Sequence, residues 1–201
     1  MQTELLIQFN KNITTVEDSI SIYQYLKSNS KNLDASFLLR AQFVLVVSAF
    51  DTFMHGFVIE NIIDSYFKGK CDFNIDIPIS VSYDLERTDD KNHKIEILKV
   101  CMQKKLSKDT FQSPKSIEYA ANIVGIKNLW TQLKELHKEP EDIKNQLALI
   151  VNRRNKIAHE SDWNQLKNEY EDISLEDVIT CKNFINDLVR AIFSLKNNKE
   201  F

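Results

Sequence analysis

Apolar residues recur three or four positions apart along most of the chain, which is the spacing of helices that bury one face. This pattern predicts several long helices joined by shorter ones. The predicted helices cover about 4–27, 35–67, 91–106, 114–124, 126–137, 140–163 and 174–195. The one departure is an alternation of isoleucine and valine over 75–81, which permits a short extended segment that Pro78 would confine to the edge of a sheet.

Residues that favour helix ends stand at several of the predicted boundaries. Asp34 is a predicted N-cap for the second helix, and Ser113 followed by Pro114 is a typical helix start. Ser174 begins a sequence that resembles a capping box. Only three glycines and three prolines occur in 201 residues, so few residues interrupt helices. These features predict an all-α fold: a single helical bundle over residues 1–201, with long core helices and short connecting helices.

The second predicted helix, 35–67, is the most apolar and is expected to lie in the core. Its apolar run at 43–50 is too short to cross a membrane and ends at Asp51, so no membrane segment is predicted. Polar side chains also stand three or four positions apart along this helix, and they must find partners inside the fold. They are Arg40, Ser48, Asp51, Thr52 and His55.

The charge and cysteine content narrow the possible functions. With 26 basic and 29 acidic residues, the net charge of -3 gives no overall attraction for nucleic acid, so any such binding has to come from a local patch. The three cysteines lie far apart and form no CxxC pair, which is typical of a reduced, cytoplasmic protein. The sequence shows no signal peptide, glycine-rich phosphate loop or metal-ligand pattern, so neither a cofactor nor a metal is expected.

The stretch 147–163, LALIVNRRNKIAHESDW, carries the most informative polar residues. On a helix at about 100° per residue, the apolar side chains of this region form one stripe. The stripe consists of Ile143, Leu147, Ile150, Val151, Ile157 and Ala158. Arg154 falls in its middle, and an unpaired buried charge costs several kcal/mol. Arg154 is therefore expected to pair with an acid elsewhere in the chain, for which Asp51 is the candidate, or with an anion from outside.

Arg154 and His159 supply the groups that metal-free RNA cleavage requires. Arginine holds a phosphate through two hydrogen bonds, and histidine is the side chain suited to proton transfer near neutral pH. The ribose 2′-hydroxyl would attack while the cation stabilises charge on the phosphate. Asn155, one helical turn before His159, is placed to orient it. Arg153 and Lys156 flank the site and are candidates to contact RNA phosphates.

Each of these residues also has a structural interpretation. Arg154 and Asp51 could form a buried structural ion pair while His159 lies on the surface. Asp51 could instead cap a turn. His55 fits a core or interface histidine better than a catalyst, and the basic residues beside Arg154 could belong to a solvated helix face.

Three parts of the chain resemble one known family. Residues 154–159, Arg-Asn-Lys-Ile-Ala-His, match the arginine–polar–three residues–histidine signature of the HEPN superfamily. The longer phrase VNRRNKIAHESDW is similar to the RiboL-PSP-HEPN branch of that superfamily. LLRAQFVLVVSAFDTFMHGFV and TFQSPKSIEYAANIVGIKNLW are also similar to it, so the resemblance spans about Leu33 to Trp163.

The resemblance implies an all-α bundle that forms a homodimer, with the motif helices of two subunits facing one another in a shared cleft. It also implies a metal-independent endoribonuclease that acts on cellular RNA, often as a toxin or phage-defence effector with an antitoxin or defence-system partner. Carried over by position, Arg154 and His159 would be catalytic and Asn155 supporting. Asp51 and His55 match polar positions of the second helix and would be secondary site residues.

Two other functions stay open at this point. Some HEPN proteins keep the bundle without cleaving RNA and act as interaction modules or as nucleotide-binding domains. For the first, the arginine of the motif would be purely structural. For the second, saturable nucleotide binding without loss of RNA is expected.

Overall fold

The computed structural model describes residues 4–30, 32–69, 75–133 and 136–197. Within these ranges the chain forms eight α-helices and one small β-hairpin, which confirms the predicted all-α class. The helices are α1 (Glu4–Asn29), α2 (Ser36–Phe67), α3 (Ile79–Glu86), α4 (Lys91–Leu106), α5 (Pro114–Ile123), α6 (Leu129–Gln132), α7 (Pro140–Glu160) and α8 (Leu175–Asn197). The antiparallel strands β1 (Trp163–Asn164) and β2 (Glu169–Tyr170) lie between α7 and α8.

Helix α2 is the centre of the bundle. It contacts α1, α4, α5, α7 and α8, and it buries a phenylalanine or an aliphatic side chain on almost every turn. Gly56 permits the close approach of α1, because a Cβ atom there would collide with the Leu5 side chain. By length and composition α2 could cross a membrane, but 61% of its most apolar window is buried inside the protein. That burial is typical of a core helix, as the sequence predicted.

Hydrogen bonds confirm the predicted helix starts at Ser113 and Ser174, but the predicted N-cap at Asp34 is wrong, because Ala35 is the N-cap residue of α2 and makes no side-chain cap bond. The Asp34 carboxylate accepts the Ser36 N–H at 2.9 Å, and this bond lowers the pKa of Asp34 below its ordinary value. Ser113 accepts the Ser116 N–H at 3.2 Å and opens α5 as half of a capping box. At the start of α8, the Asp177 N–H donates to Ser174 Oγ at 3.1 Å. These short-range signals fix helix starts because each involves only neighbouring residues.

Two predicted segments differ in the structure. The expected extended piece at 75–81 is wrong: 75–78 is irregular and α3 starts at Ile79, directly after Pro78. Proline is favoured beside a helix start, and an extended segment without a neighbouring strand leaves its backbone groups unpaired. The helix expected over 126–137 is only the single turn α6, while 134 and 135 lie outside the described residues.

The hairpin β1–β2 was not predicted. It lies in the stretch between Trp163 and Ser174, which the sequence pattern marks only as polar. Its strands contain two residues each, and Trp163 pairs with Tyr170. Strands this short carry no detectable alternation of apolar and polar residues.

The described cysteines differ in accessibility. Cys181 is buried in α8, and this burial raises the pKa of its thiol to about 12. Cys101 on α4 is partly exposed, and both thiols are free. Cys71 lies outside the described residues. Because the thiolate is the reactive form, Cys181 is a core residue without nucleophilic character.

Candidate functional site

The candidate site lies at the C-terminal end of α7. The helix buries Ile143, Leu147, Ile150 and Val151. Beyond Val151, the core no longer covers this face of the helix. Ile157 is half-buried and Ala158 is exposed, so the apolar stripe continues beyond the part that the core of this chain covers. The last turn of α7 therefore presents its motif residues at the surface.

A defined turn ends the helix. Ser161 adopts the left-handed conformation with φ of 54°, and its N–H donates to the Lys156 carbonyl. Asp162 follows with φ of 59° and donates its own N–H to the same carbonyl at 3.1 Å. Both bonds satisfy a carbonyl that the helix leaves free at its end.

The Asp162 side chain is fully buried between two arginines. Its Oδ2 atom accepts a hydrogen bond from Arg40 Nε at 2.9 Å and one from an Arg153 guanidinium nitrogen at 2.8 Å. Arg40 also donates to the Glu171 carbonyl at 2.6 Å, and Arg153 donates to the Asp172 carbonyl at 2.8 Å. This Arg40–Asp162–Arg153 cluster joins α2, the end of α7 and the segment that follows the hairpin.

The sequence did not predict this cluster. Arg153 was predicted to contact RNA phosphates, but its guanidinium already binds the Asp162 carboxylate and a backbone carbonyl. Asp162 was not singled out at all. The signal for it was Arg40, a cation on an otherwise apolar helix that required a buried partner. The phosphate contact of Arg153 stays a prediction, as does that of Lys156, whose side chain is exposed.

Arg154 does not pair with Asp51, so that part of the sequence interpretation is wrong. The Asp51 Oδ1 atom accepts the Phe111 N–H at 2.6 Å. Asp51 is eleven residues beyond Arg40 on α2, about 16 Å along the helix axis. Arg40 and Arg153 bind the same carboxylate, so Arg40 lies on α2 beside the end of α7. Asp51 is therefore about 16 Å away from the end of α7 along the axis of α2. Periodicity placed both residues on inward faces but could not set their heights along the bundle.

Asp51 and His55 instead hold the segment that precedes α5. The His55 Nε2 atom lies 3.2 Å from the Asp109 carbonyl oxygen and 3.9 Å from Asp51 Oδ1. Its ring lies against the Phe111 ring, with centroids 4.6 Å apart. A single chain therefore does not bring these predicted secondary site residues to the end of α7. The alternative interpretation of Asp51 as a carboxylate that caps a turn matches this geometry, whereas His55 is partly exposed and so is not a core histidine.

Arg154 lacks a carboxylate partner among the residues that the structure describes. One of its terminal guanidinium nitrogens donates to Asn155 Oδ1 at 3.0 Å. Its Nε atom is buried and forms no hydrogen bond in the described structure. A buried N–H without an acceptor is costly, and an anion is the partner that a guanidinium accepts best. Arg154 is thus a half-buried cation that retains capacity to bind an anion.

His159 lies one helical turn after Asn155 and is exposed on the last turn of α7. Within the described ranges its side chain has no hydrogen bond or ion pair, so the imidazole is accessible to an external group. Asn155 and His159 are one turn apart on the same face, and Arg154 lies about 7.5 Å before His159 along the axis. An anion-binding cation and an accessible proton-transfer group therefore share one exposed helix end. No cluster of three or more metal-ligating side chains is found in the described part of the chain.

The helical bundle and the motif at the end of α7 together define the class of protein. The RiboL-PSP-HEPN family profile matches residues 10–197, which is almost the entire chain. The chain therefore belongs to the RiboL-PSP-HEPN family. No curated protein and no solved structure shows significant similarity to it.

Proposed function

We propose that this protein is a metal-independent endoribonuclease that cuts cellular RNA by attack of the ribose 2′-hydroxyl. The observation that carries the proposal is the state of Arg154. The neighbouring Arg153 is paired with a buried carboxylate, whereas Arg154 has no described acidic partner and lies five residues before an accessible histidine. Membership of a HEPN family, which is associated with nucleases and effectors, supports the same conclusion. We further propose that it acts in the cytoplasm as a toxin or phage-defence effector.

In the proposed reaction, the Arg154 guanidinium binds the scissile phosphate. Asn155 holds that guanidinium by its hydrogen bond, which limits the number of conformations that Arg154 must give up on binding RNA. The 2′-oxygen attacks phosphorus, the bond to the 5′-oxygen breaks, and charge on the phosphate is stabilised by the cation. His159 either removes the proton from the 2′-hydroxyl or gives one to the departing 5′-oxygen. The products are a 2′,3′-cyclic phosphate and a 5′-hydroxyl.

We propose that the active form is a homodimer in which two α7 helices face each other. Arg154, Ile157 and Ala158 stand at positions i, i+3 and i+4 and so share one side of the helix. The core of a single chain leaves this side open beyond Val151. A two-fold contact there would cover Ile157 and bring two copies of Arg154 together, raising the local positive charge of a chain whose net charge is -3, while each His159 would stand at the end of its helix beside the contact.

Co-expression of two inactive chains tests this arrangement. When an Arg154→Ala chain and a His159→Ala chain are produced together with different tags, we expect RNA cleavage to return to about a quarter of the parent rate. Random pairing makes half of the dimers heterodimers, and each of these has one intact arginine–histidine pair in the shared cleft where the parent dimer has two, which gives a quarter. Each variant alone provides the baseline. If purified heterodimers are as inactive as that baseline, the proposal that both chains build one site is wrong.

Arg154→Ala tests the role of the cation. We expect cleavage of total cellular RNA in EDTA to fall by at least about 100-fold, because one charge-stabilising group is removed from the transition state. The melting temperature should change little, since no described carboxylate loses a partner. Arg190→Ala, which removes an exposed arginine of α8 that also donates to an asparagine, is the matched control and should retain most activity.

The second candidate function is a non-catalytic interaction or nucleotide-binding module. One observation favours this candidate: the Arg40–Asp162–Arg153 cluster gives Arg153, the residue next to the motif arginine, a structural role. Absence of RNA cleavage by both the parent and the Arg154→Ala variant would make this candidate the better one, whereas equal cleavage by both would place the active site elsewhere or reveal a contaminating nuclease. A module would instead retain its partner or nucleotide binding without any RNA fragments.

A further inference from the structure

An exposed aromatic pair stands directly beside the candidate active site. Trp163 on β1 and Tyr170 on β2 are cross-strand partners, and their ring centroids lie 5.1 Å apart at an interplanar angle of 89°. Trp163 is 40% exposed and Tyr170 is 55% exposed. The exposed part of each ring would be removed from water only if a ligand or another chain bound to it.

The hairpin that carries these rings is anchored to the end of α7. The Glu171 N–H donates to the Asp162 carbonyl at 2.8 Å, so the same residue that fixes Arg40 and Arg153 also fixes the base of the hairpin. Asn164 donates from its side chain to Glu171 at 2.8 Å and accepts two N–H groups from the turn. The rings are therefore held in place before any ligand binds.

The aromatic pair is close to the proposed reaction centre. Trp163 follows His159 by four residues, so their Cα atoms cannot be more than about 14 Å apart. The Arg40 guanidinium lies 5.0 Å from the centroid of the Tyr170 ring and supports it from the protein side. The two rings and the motif histidine thus occupy neighbouring positions at one end of α7.

We propose that Trp163 and Tyr170 form a stacking platform for an unpaired base next to the scissile phosphate: the base stacks on the Trp163 ring, and the perpendicular Tyr170 ring holds that ring in place. This inference rests on the proposed ribonuclease function and specifies its substrate as single-stranded RNA. Bases inside a duplex are already stacked on their neighbours, whereas an unpaired base has a free face for an aromatic ring. Cleavage would accordingly occur in loops and single-stranded segments.

The charges around the platform indicate that it contributes to RNA binding by stacking and not by contacts with phosphates. Glu160 and Glu169 are exposed beside it, and Lys167 lies in the turn of the hairpin. This mixture does not attract a phosphate chain strongly. Loss of the rings should therefore weaken RNA binding by a similar factor at low and at high salt, whereas loss of a phosphate contact reduces the salt dependence.

The platform is tested by binding a short single-stranded RNA to protein that cannot cleave it. In a His159→Ala background, Trp163→Ala should weaken binding about tenfold, within the range measured for one stacked base, while Trp163→Phe should retain most of the affinity. Tyr25→Ala removes a ring of α1 that is more exposed than Trp163, at 68%, and is the control. Leu166→Ala, at the 99% exposed tip of the hairpin, separates stacking from general apolar contact.

Tryptophan fluorescence gives a second, direct measurement. The chain contains two tryptophans, and Trp130 is buried. RNA should quench the emission of the parent, and this quenching should be lost in Trp163→Phe. Duplex RNA of the same length should quench little.

Each outcome separates the platform from the nuclease function. If His159→Ala abolishes cleavage but Trp163→Ala binds and cuts like the parent, the platform is wrong and the nuclease stands. If Trp163→Ala loses binding while the parent never cleaves RNA, the platform stands and the nuclease is wrong. If the parent binds no RNA, both proposals fail. If Trp163→Ala instead turns a dimer into a monomer by light scattering, the rings belong to a subunit contact and the platform is overturned.

Discussion

Replacing His159 by alanine is expected to abolish RNA cleavage while leaving the fold intact. The imidazole is the only described group at the end of α7 that can carry a proton between oxygens near neutral pH. Loss of one general acid or base typically lowers a rate by about 10² to 10⁴. The fold should be unaffected because the side chain is exposed, makes no described contact, and is replaced by a strong helix former.

The measurement is the rate of fragment formation from total cellular RNA in EDTA, with the chemistry of the fragment ends determined. The parent should leave 2′,3′-cyclic phosphates and 5′-hydroxyls. His93→Ala, which removes another exposed histidine from α4, should cut at the parent rate and shows that any loss is specific to position 159. Cleavage by His159→Ala at the rate of the parent would place the active site elsewhere or reveal a contaminating nuclease.

The helices could be predicted from the sequence because their signals are local. The apolar spacing of α2 and the caps at Ser113 and Ser174 each depend on residues within one or two turns. The same holds for the approximate position of α7, which opens at Pro140 with two acidic residues. Interactions of this kind do not depend on how the helices later pack.

The partner of each arginine could not be predicted in this way. Arg153 and Arg154 are neighbours in sequence but point about 100° apart, so a small rotation of α7 decides which one reaches the core. The acid that fills the role expected of Asp51 is Asp162, and its position depends on two consecutive left-handed residues after the helix. Neither the rotation nor that turn leaves a periodic trace in the sequence. The expectation that a buried arginine pairs with an acid was therefore correct, but the pair is Arg153 with Asp162 and not Arg154 with Asp51.

Because Asp162, and not Asp51, is the acid that pairs with the two arginines, its substitution is expected to have the second large effect, which is on stability. The Asp162→Ala variant is expected to lose about 3–5 kcal/mol of unfolding free energy, because removal of a fully buried carboxylate leaves two arginines without their partner. For a chain of this length, the loss corresponds to a melting temperature lower by about 10 °C. The measurement is thermal or denaturant unfolding followed by circular dichroism. Glu17→Ala, which removes the exposed partner of Lys182, is the control and should cost less than about 1 kcal/mol.

The same substitution should also reduce cleavage in the protein that remains folded. Asp162 fixes the end of α7 through its N–H and anchors the hairpin through its carbonyl, but its side chain holds both to α2. Without the carboxylate, the turn that positions His159 and Trp163 loses its attachment to Arg40. Asp162→Asn keeps the shape and one acceptor, so it should fall between the parent and Asp162→Ala in both stability and activity. If Asp162→Ala melts within about 2 °C of the parent, the cluster does not stabilise this end of the bundle, and the expected attachment of the turn to α2 is wrong.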